Sequence, residues 1–235
     1  MNTLRILMYH KVREQADFLS VTAPQLRAQL LWLKARYNMV SLSQVVAYLQ
    51  RGEALPPRAV CITFDDGFMN NYTAAYPIFK ELNIPFSIFL VADFVGKTIV
   101  FDGEQQSFLS EAELKKMEDM AQYAYHSVEH KSIMDIDENQ WADEITNAKQ
   151  KLDKLPITMQ PIWAYTYGSC PRKNKEQMAF IENIFQNNSF IAAFRIGNRI
   201  NKHPISNPFL MQRIDIRGNE SNLKFKWKVM FGKLF

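Results

Sequence analysis

The alternation of apolar strand segments with helical segments is the feature that most limits the folds open to this chain. Continuous apolar runs over residues 4–9, 59–64 and 86–91 are typical of strands buried on both faces of a parallel sheet. Segments with helical spacing, such as residues 24–37 and 70–82, lie between them. This pattern predicts parallel strands joined by crossover helices, an α/β fold. About seven strands are predicted, and a closed or nearly closed barrel is their simplest arrangement.

The size and composition predict one folded core. The chain has 235 residues, of which 47% are hydrophobic and 22% charged. We assign residues 1–220 to the barrel and residues 221–235 to a basic aromatic tail. The net charge of +4 is too small and too scattered to predict nucleic-acid binding, which would need a basic stripe.

The cysteines and the first residues bear on the compartment. Cys61 and Cys170 predict neither a disulfide framework nor a thiolate zinc site, and this usage is typical of a reducing compartment. The N-terminal segment does not have the apolar core of a secretory signal. A cytoplasmic location is therefore expected.

Polar residues follow the predicted strands at their carboxyl ends, where barrels of parallel strands carry their reactive side chains. There are four such clusters: His10, Asp65-Asp66, residues 126–130 and residues 165–168. The doublet Asp65-Asp66 comes directly after a buried strand. Two adjacent carboxylates in that place are costly unless a cation neutralises them.

The segment HSVEH, from His126 to His130, has the spacing of two metal ligands on one side of a helical turn. Two imidazoles and an aspartate would leave coordination positions open, as in a catalytic site. Simpler explanations exist, since such histidine pairs occur on solvated helices and Asp-Asp-Gly is common in turns. Together the motifs favour a shared divalent metal, because the carboxylates need a counter-charge and the histidines a third ligand. Ser127 is expected to cap a helix or to orient a ligand.

Four motifs make the chain resemble a known family. They are ITFDDG at residues 62–67, HSVEH at 126–130, WAYTYG at 163–168 and the opening ILMYHKV at 6–12. With them the chain resembles the polysaccharide deacetylase family, carbohydrate esterase family 4, over residues 4–215. The resemblance implies a distorted (β/α) barrel of about seven parallel strands. It also implies a metal-dependent carbohydrate N-deacetylase, a hydrolase that acts on carbon–nitrogen bonds other than peptide bonds.

The resemblance assigns roles to individual residues. Asp65 would be the catalytic base, and Asp66, His126 and His130 would hold one divalent metal ion. Zinc is the default for these ligands, and iron, cobalt or nickel would also suit them. A divalent cation polarises an amide carbonyl and acidifies water, whose proton a neighbouring free carboxylate can accept. The backbone N–H of Tyr167 is the implied donor to the developing oxyanion.

Two motifs of the family are altered, and the family's Asp and Trp motif that tunes the acid has no clear equivalent here. Ala164 and Thr166 stand where many members have an arginine and a proline. Arg213, at the end of the last predicted strand, is the best-placed substitute, and a surface ion pair with Asp215 is an alternative use for it. The family's late histidine is missing, and the motif order resembles a circularly permuted subgroup in which the first strand supplies it. His10 is therefore predicted to be the general acid, although it could simply pack under a strand end.

The tail SNLKFKWKVMFGKLF, residues 221–235, alternates lysines with aromatic side chains. Such a segment suits the headgroup layer of an anionic membrane, and packing of its aromatic side chains on the barrel is the simpler alternative. The implied substrate is a carbohydrate bearing N-acetyl or similar small acyl groups. It would be a polysaccharide or its lipid-linked precursor, made at the inner face of the membrane for the cell surface. The alternative function is a carbohydrate-binding relative that has lost turnover.

Overall fold

A closed barrel of parallel strands forms the centre of the molecule. The computed structural model describes residues 3–232, and within that range seven strands form the barrel. In chain order they are β1 (Thr3–Tyr9), β2 (Ala59–Asp66), β3 (Phe86–Val91), β4 (Ala121–Ser127), β5 (Met159–Ala164), β6 (Ala192–Ile196) and β7 (Met211–Asp215). Strand β1 pairs with both β2 and β7, which closes the barrel in the order β1, β7, β6, β5, β4, β3, β2. The predicted fold class is confirmed.

Helices cover the outside of the barrel and connect most of its strands. In the part of the chain that the structure describes, they are α1 (Ala23–Lys34), α2 (Leu42–Arg51), α3 (Tyr76–Leu82), α4 (Glu111–Met117), α5 (Trp141–Leu152), α6 (Lys175–Asn187) and α7 (Asn222–Phe231). The connection from β6 to β7 has a 3₁₀ turn, Pro208–Leu210, in place of an α-helix, which makes the barrel irregular. None of the helices within residues 3–232 is long and apolar enough to cross a bilayer.

Shorter elements extend the sheet or lie beside it. Two short strands lengthen the sheet: Asn38–Met39 next to β2 and Asn201–Lys202 antiparallel to β1. Two further pairs stand apart: Lys11–Arg13 with Ser20–Thr22, and the hairpin Thr98–Phe101 with Glu104–Ser107. Single helical turns occupy Asn71–Ala75, Ala92–Phe94, Ile133–Asp135, Glu138–Gln140 and Thr166–Gly168.

Local sequence signals set the helix ends. Thr22 and Gln25 form a capping box at the start of α1, and Ser110 and Glu113 form one at the start of α4. Helix α2 ends at Gly52, whose φ of 68° is a left-handed conformation that glycine adopts without steric penalty. The predicted helices are present, with ends that differ from the prediction by a few residues.

The two-residue period of the strands decides which side chains enter the barrel. Along β2, Ala59 and Cys61 belong to the buried cluster inside the barrel, whereas Ile62 and Phe64 belong to the layer under the helices. Asp65 continues the inward series because side chains alternate between the two faces of a strand.

The same alternation points further polar residues inward. Ala124 on β4 is interior, so His126, two residues later, faces inward too. Met211 on β7 is interior, and Arg213 follows on the same face. The inward series of β1 continues to His10. The strand period therefore brings these side chains toward Asp65 at the C-terminal end of the barrel.

Candidate metal centre

Asp66, His126 and His130 meet at the C-terminal end of the barrel. The Oδ1 atom of Asp66 lies 3.0 Å from His130 Nε2 and 3.4 Å from His126 Nε2. All three residues are buried, and their ligand atoms lie within 4.8 Å of one another. The sequence predicts these three residues as metal ligands, and the fold brings them together from two different strands.

The donor set fits a divalent cation. Asp66 Oδ1 is buried and has no satisfactory hydrogen bond among the described residues, although two imidazole nitrogens face it. Two atoms that ligate a tetrahedral zinc ion at about 2.0–2.1 Å lie about 3.3 Å apart, which is close to the observed spacings. Iron, cobalt and nickel accept the same nitrogen and oxygen donors.

The two histidines do not lie on a helix, so the predicted helical turn is wrong. His126 is near the end of β4, and His130 follows it in a bend with φ of 63°. The Ser127 hydroxyl accepts a hydrogen bond of 2.8 Å from the His130 N–H. Ser127 therefore caps no helix. It stabilises the bend that carries a candidate ligand.

Contacts with the backbone and with aromatic rings orient the imidazoles. His126 Nδ1 lies 2.8 Å from the carbonyl oxygen of Ala164 on β5. Because a carbonyl only accepts, Nδ1 carries a proton, which leaves Nε2 as the nitrogen that would ligate a metal ion. The ring of His130 contacts those of Phe101 and Tyr167, whose centroids are 5.0 and 4.9 Å away.

The turn at Asp66 and Gly67 explains why an apolar strand ends in two carboxylates. Neighbouring residues of an extended strand point to opposite faces, yet Asp65 and Asp66 line the same cavity. Asp66 has φ of 71° and Gly67 has φ of 77°, so the chain turns sharply and Asp66 faces the imidazoles. A Cβ atom at Gly67 would lie 2.9 Å from a Leu90 methyl carbon and would be strained at this φ, so the turn favours glycine.

Asp65 lies beside the ligand cluster and forms a buried ion pair. Arg213 donates from Nη1 to Asp65 Oδ1 at 2.5 Å and from Nη2 to Oδ2 at 2.7 Å. The alternative surface pair between Arg213 and Asp215 is not formed, since Asp215 accepts from Arg217 Nε at 2.6 Å. Asp65 is thus paired with a guanidinium from β7. Ala164, on β5, stands at the position where many members of the family have an arginine.

Burial and neighbouring charges act in opposite directions on the ionisable groups. Burial alone would raise the pKa of Asp65, but Arg213 and His126 hold it below its usual value. Burial would also raise the pKa of Asp66, which His130 and His126 hold well below its usual value. Burial would lower the pKa of His126, whereas Asp65 and Asp66 raise it above the ordinary value. Both carboxylates are therefore ionised at neutral pH.

A cavity of about 260 Å³ opens over these residues, and His10 lines it. The carbonyl oxygen of His10 accepts a hydrogen bond of 2.9 Å from Asn71 Nδ2. His10 Nδ1 is buried and has no hydrogen-bond partner in the described range. His10 also contributes to the low pKa of Asp65 and of Asp66, so its ring is within electrostatic reach of both.

Tyr167 lines the same cavity in a strained backbone conformation, with φ of 56°. The N–H groups of Gly168 and Ser169 close the turn, and the Tyr167 N–H takes no part in these hydrogen bonds. Asp66 and His130 also have left-handed backbones. Such conformations in residues other than glycine are uncommon and concentrate at functional sites.

Several residues of the cavity wall were not predicted from the sequence. Asp215 and Arg217 line the cavity, as do Phe18 from a loop and Phe101 from the end of the hairpin strand Thr98–Phe101. Asp215 is two residues after Arg213, so strand alternation was the available signal for it. Phe18 and Phe101 belong to no periodic apolar pattern, and the residues next to them in the sequence give no sign that they line a site.

Comparison with known proteins agrees with the geometry. A family model described as polysaccharide deacetylase matches residues 52–182. The poly-beta-1,6-N-acetyl-D-glucosamine N-deacetylase of Staphylococcus epidermidis is 26% identical over 193 residues, which are 71% of this chain and 65% of that protein. The chain spans less than two thirds of the length of its curated relatives, 61% of one and 65% of this one.

Solved structures share the fold over nearly the whole chain. IcaB from Ammonifex degensii has a TM-score of 0.78 at 21% identity and covers 98% of this chain and 97% of its own. The Streptococcus pyogenes deacetylase PplD, in complex with acetate, has a TM-score of 0.77 at 21% identity and covers 97% of this chain and 98% of its own. At this level of identity the similarity is one of fold, a (β/α) barrel.

Proposed function

Because the chain belongs to the polysaccharide deacetylase family, we propose that it is a metal-dependent hydrolase that removes acetyl groups from an amino sugar. One observation carries this proposal: a buried three-residue ligand cluster lies next to Asp65, a carboxylate that is outside the cluster and ionised. Relatives are named for poly-beta-1,6-N-acetyl-D-glucosamine. We therefore propose an N-acetylated polysaccharide, or its lipid-linked precursor, as the substrate class. A formyl group would fit the same chemistry.

The ligands and the base have separate tasks in the proposed reaction. Asp66, His126 and His130 would hold the metal ion, which when bound polarises the acetamido carbonyl and acidifies water. Asp65 accepts the proton of the attacking water. The two hydrogen bonds from Arg213 fix the plane of the Asp65 carboxylate and keep it ionised, so the base needs no rearrangement before it acts.

The remaining groups act on the two ends of the bond that breaks. The backbone N–H of Tyr167 donates to the carbonyl oxygen as negative charge develops there. His10 protonates the sugar nitrogen as the carbon–nitrogen bond breaks. Water thus adds its oxygen to the acetyl carbon, Asp65 takes one proton, His10 gives one, and acetate and a free amine leave.

No observation favours the alternative of a carbohydrate-binding relative without turnover. That alternative depended on the missing motif arginine and on the missing Asp and Trp motif that tunes the acid. Arg213 places a guanidinium on Asp65 from another strand, which removes the first of these two grounds.

We also propose that α7 lies on an anionic membrane surface. The helix packs Phe225 and Val229 against the barrel, where Arg5 Nε donates to the Val229 carbonyl at 2.6 Å. Its outer side exposes a stripe of four apolar side chains at helical spacing: Leu223, Trp227, Met230 and Phe231. Of the tail's alternating residues, Lys233 and Phe235 lie outside the described residues.

Lysines beside the stripe supply the charge that anionic headgroups attract. Lys224 is exposed, with its Nζ 3.1 Å from a Glu220 carboxylate oxygen, and Lys226 is partly exposed beside Trp32. An apolar stripe between lysines suits an interfacial helix. Cys61 and Cys170 are unpaired, which is consistent with a reducing compartment. We therefore propose action at the cytoplasmic face of the membrane, on a lipid-linked substrate.

The test of the proposed function is acetate release from N-acetylglucosamine oligomers by the zinc- or cobalt-loaded protein. We expect release by the wild type and its loss in Asp65→Asn, with metal content unchanged because Asp65 is outside the ligand cluster. Asp93→Asn is the matched control, since it removes the same charge from a surface ion pair with Lys151. The proposal is contradicted if the metal-loaded wild type releases neither acetate nor formate from free or lipid-linked acceptors.

A further inference from the structure

A second cavity, of about 430 Å³, adjoins the metal centre at the same end of the barrel. Gly168 and Ile196 line both cavities and form the wall between them. Gly168 has φ of 67°, and a Cβ atom there would lie 2.6 Å from atoms of Ile196. Ile196 therefore packs directly on the backbone of Gly168, and these two residues separate the second cavity from the cavity over the metal centre.

The second cavity is lined by basic residues and by no acidic ones. Arg172 and Lys173 come from the loop after β5, and Arg195 comes from the end of β6. Within residues 3–232, none of the three has a carboxylate within 4.0 Å. Like charges held together without counter-charges attract an anion.

Arg195 has hydrogen-bonding capacity to spare. Its Nη1 donates to the Ile196 carbonyl at 3.0 Å, whereas its Nε is buried and has no partner among the described residues. Burial, and then the charges of Arg172 and Arg199, lower the pKa of Arg195. A buried donor without a partner is destabilising, and a guanidinium pairs best with the oxygens of a phosphate or a carboxylate.

The charges of the two cavities would orient a substrate. The cavity over the metal centre is lined by the carboxylates of Asp65, Asp66, Asp102 and Asp215. Asp65 and Asp215 are paired there with Arg213 and Arg217, whereas the basic residues of the second cavity have no carboxylate of the described range within 4.0 Å, so an anionic group on a sugar is attracted to the second cavity. This division would place the acetamido group of a charged glycan at the metal centre and its anionic group beyond the wall.

We propose that the cavity of Arg172, Lys173 and Arg195 binds an anionic group, phosphate or carboxylate, on the same glycan whose acetamido group enters the metal centre. The inference rests on the proposed function and narrows the class of substrate that it names. The acceptor is an anionic acetamido sugar, such as a sugar phosphate or a sugar next to a uronic acid.

The test compares charged substrates with neutral partners. One pair is N-acetylglucosamine 1-phosphate and methyl N-acetylglucosaminide, and the other is an N-acetylglucosamine–glucuronate disaccharide and its carboxyl-reduced form. For at least one of the two pairs, we expect kcat/KM to be about tenfold or more higher for the anionic sugar than for its neutral partner. The difference should come mainly from a lower KM. The pair that shows the preference identifies the anion.

Variants connect the preference to the cavity. The preference should fall toward unity in Arg172→Gln and in Arg195→Gln, because kcat/KM falls more for the charged substrate than for its neutral partner. Arg51→Gln, which removes the same charge from an exposed pair with Glu53 before β2, should keep it. Equal rates for charged and neutral substrates in the wild type, or a preference that survives in Arg172→Gln, would overturn the proposal.

Calorimetry separates this proposal from the proposed function. Binding of the same sugars to Asp65→Asn requires no turnover, so absence of acetate release contradicts only the proposed function. Tighter binding of the charged sugar, lost in Arg172→Gln, supports the anion site even then. Equal binding of charged and neutral sugars contradicts the anion site.

Discussion

Arg213 on β7 and Asp65 on β2 form a buried, two-pronged ion pair across the interior of the barrel. The two residues are 148 positions apart in the chain. Strand alternation points both side chains inward at the same level. The pair keeps Asp65 ionised without adding it to the ligand cluster, so one carboxylate of the doublet remains available as a base.

Arg213→Gln is expected to reduce the free energy of unfolding at neutral pH by about 3–5 kcal/mol, because it leaves a buried carboxylate unpaired. In the wild type the pKa of Asp65 is below its unfolded value, so its stabilisation is present above the unfolded pKa and is lost as the pH falls through the folded pKa. In the variant burial raises that pKa instead. The difference in free energy of unfolding between the wild type and Arg213→Gln should therefore grow as the pH rises from about 3 to 7.

Urea unfolding of both proteins across this pH range measures the difference. Arg217→Gln is the matched control, because Arg217 pairs with Asp215 but is about one third exposed, where solvent weakens an ion pair. Arg217→Gln should lose less free energy of unfolding than Arg213→Gln. An equal loss at every pH in Arg213→Gln would show that Asp65 does not depend on this arginine for its charge.

Metal removal should abolish acetate release, and zinc should restore it and raise the thermal midpoint of the protein. His126→Ala should lose both effects. His203→Ala is the control, because His203 packs on Tyr48 and is not one of the ligand residues. A zinc-dependent rise of the midpoint that persists in His126→Ala would contradict the assigned ligand set.

Zinc affinity should fall as the solution becomes more acidic, because a proton competes for the ligand nitrogen. The neighbouring carboxylates raise the pKa of His126 above the ordinary value, so the decline should begin at a higher pH than for an isolated histidine. Competition with a chelator at about pH 8 and about pH 6 measures the change. An affinity that is constant over this range would exclude a titrating histidine ligand.

Ser127→Ala should weaken zinc binding by about 10- to 100-fold, because the Ser127 hydroxyl holds the bend that carries His130. Ser132→Ala is a close control, since its buried hydroxyl likewise accepts a backbone N–H, from Met134 at 3.1 Å, but holds no ligand. Zinc titration of both variants gives the comparison. Equal affinities would assign Ser127 a purely structural role.

The barrel and the carboxylate doublet were predictable because their signals are local. A buried parallel strand appears in the sequence as an unbroken apolar run, and Asp65-Asp66 stands at the end of one. The barrel closes through pairing of β1 with β7, and the alternation of strands and helices predicts such closure without specifying it.

The features that could not be predicted from the sequence depend on tertiary contacts. Histidines four apart suit a helical turn as well as a bend, and the choice here depends on the continuation of β4 to Ser127 and on its hydroxyl. Arg172 belongs to the loop after β5 and Arg195 to the end of β6, and they meet only because β5 and β6 are neighbours in the barrel. No spacing in the sequence expresses that proximity.

Tyr167→Gly should raise KM several-fold and leave kcat nearly unchanged, because the proposed donor is the backbone N–H while the ring, 60% exposed, forms part of the cavity wall. Glycine also accepts the φ of 56° without strain, so the turn should be retained. Steady-state kinetics on an N-acetylglucosamine oligomer measures both constants. A large fall in kcat would show that the tyrosine ring itself takes part in the reaction.

Replacement of Trp227 and Phe231 by serine should abolish co-sedimentation of the protein with vesicles of phosphatidylglycerol, because these rings are about half exposed on the outer stripe of α7. Lys224→Gln should weaken binding less, and added salt should weaken it in the wild type, since lysine attraction to headgroups is screened. Val100→Ser, which removes an exposed apolar side chain from the hairpin, is the control and should leave binding intact. Equal sedimentation of the wild type with neutral and anionic vesicles, or binding that survives loss of both rings, would exclude α7 as the membrane contact.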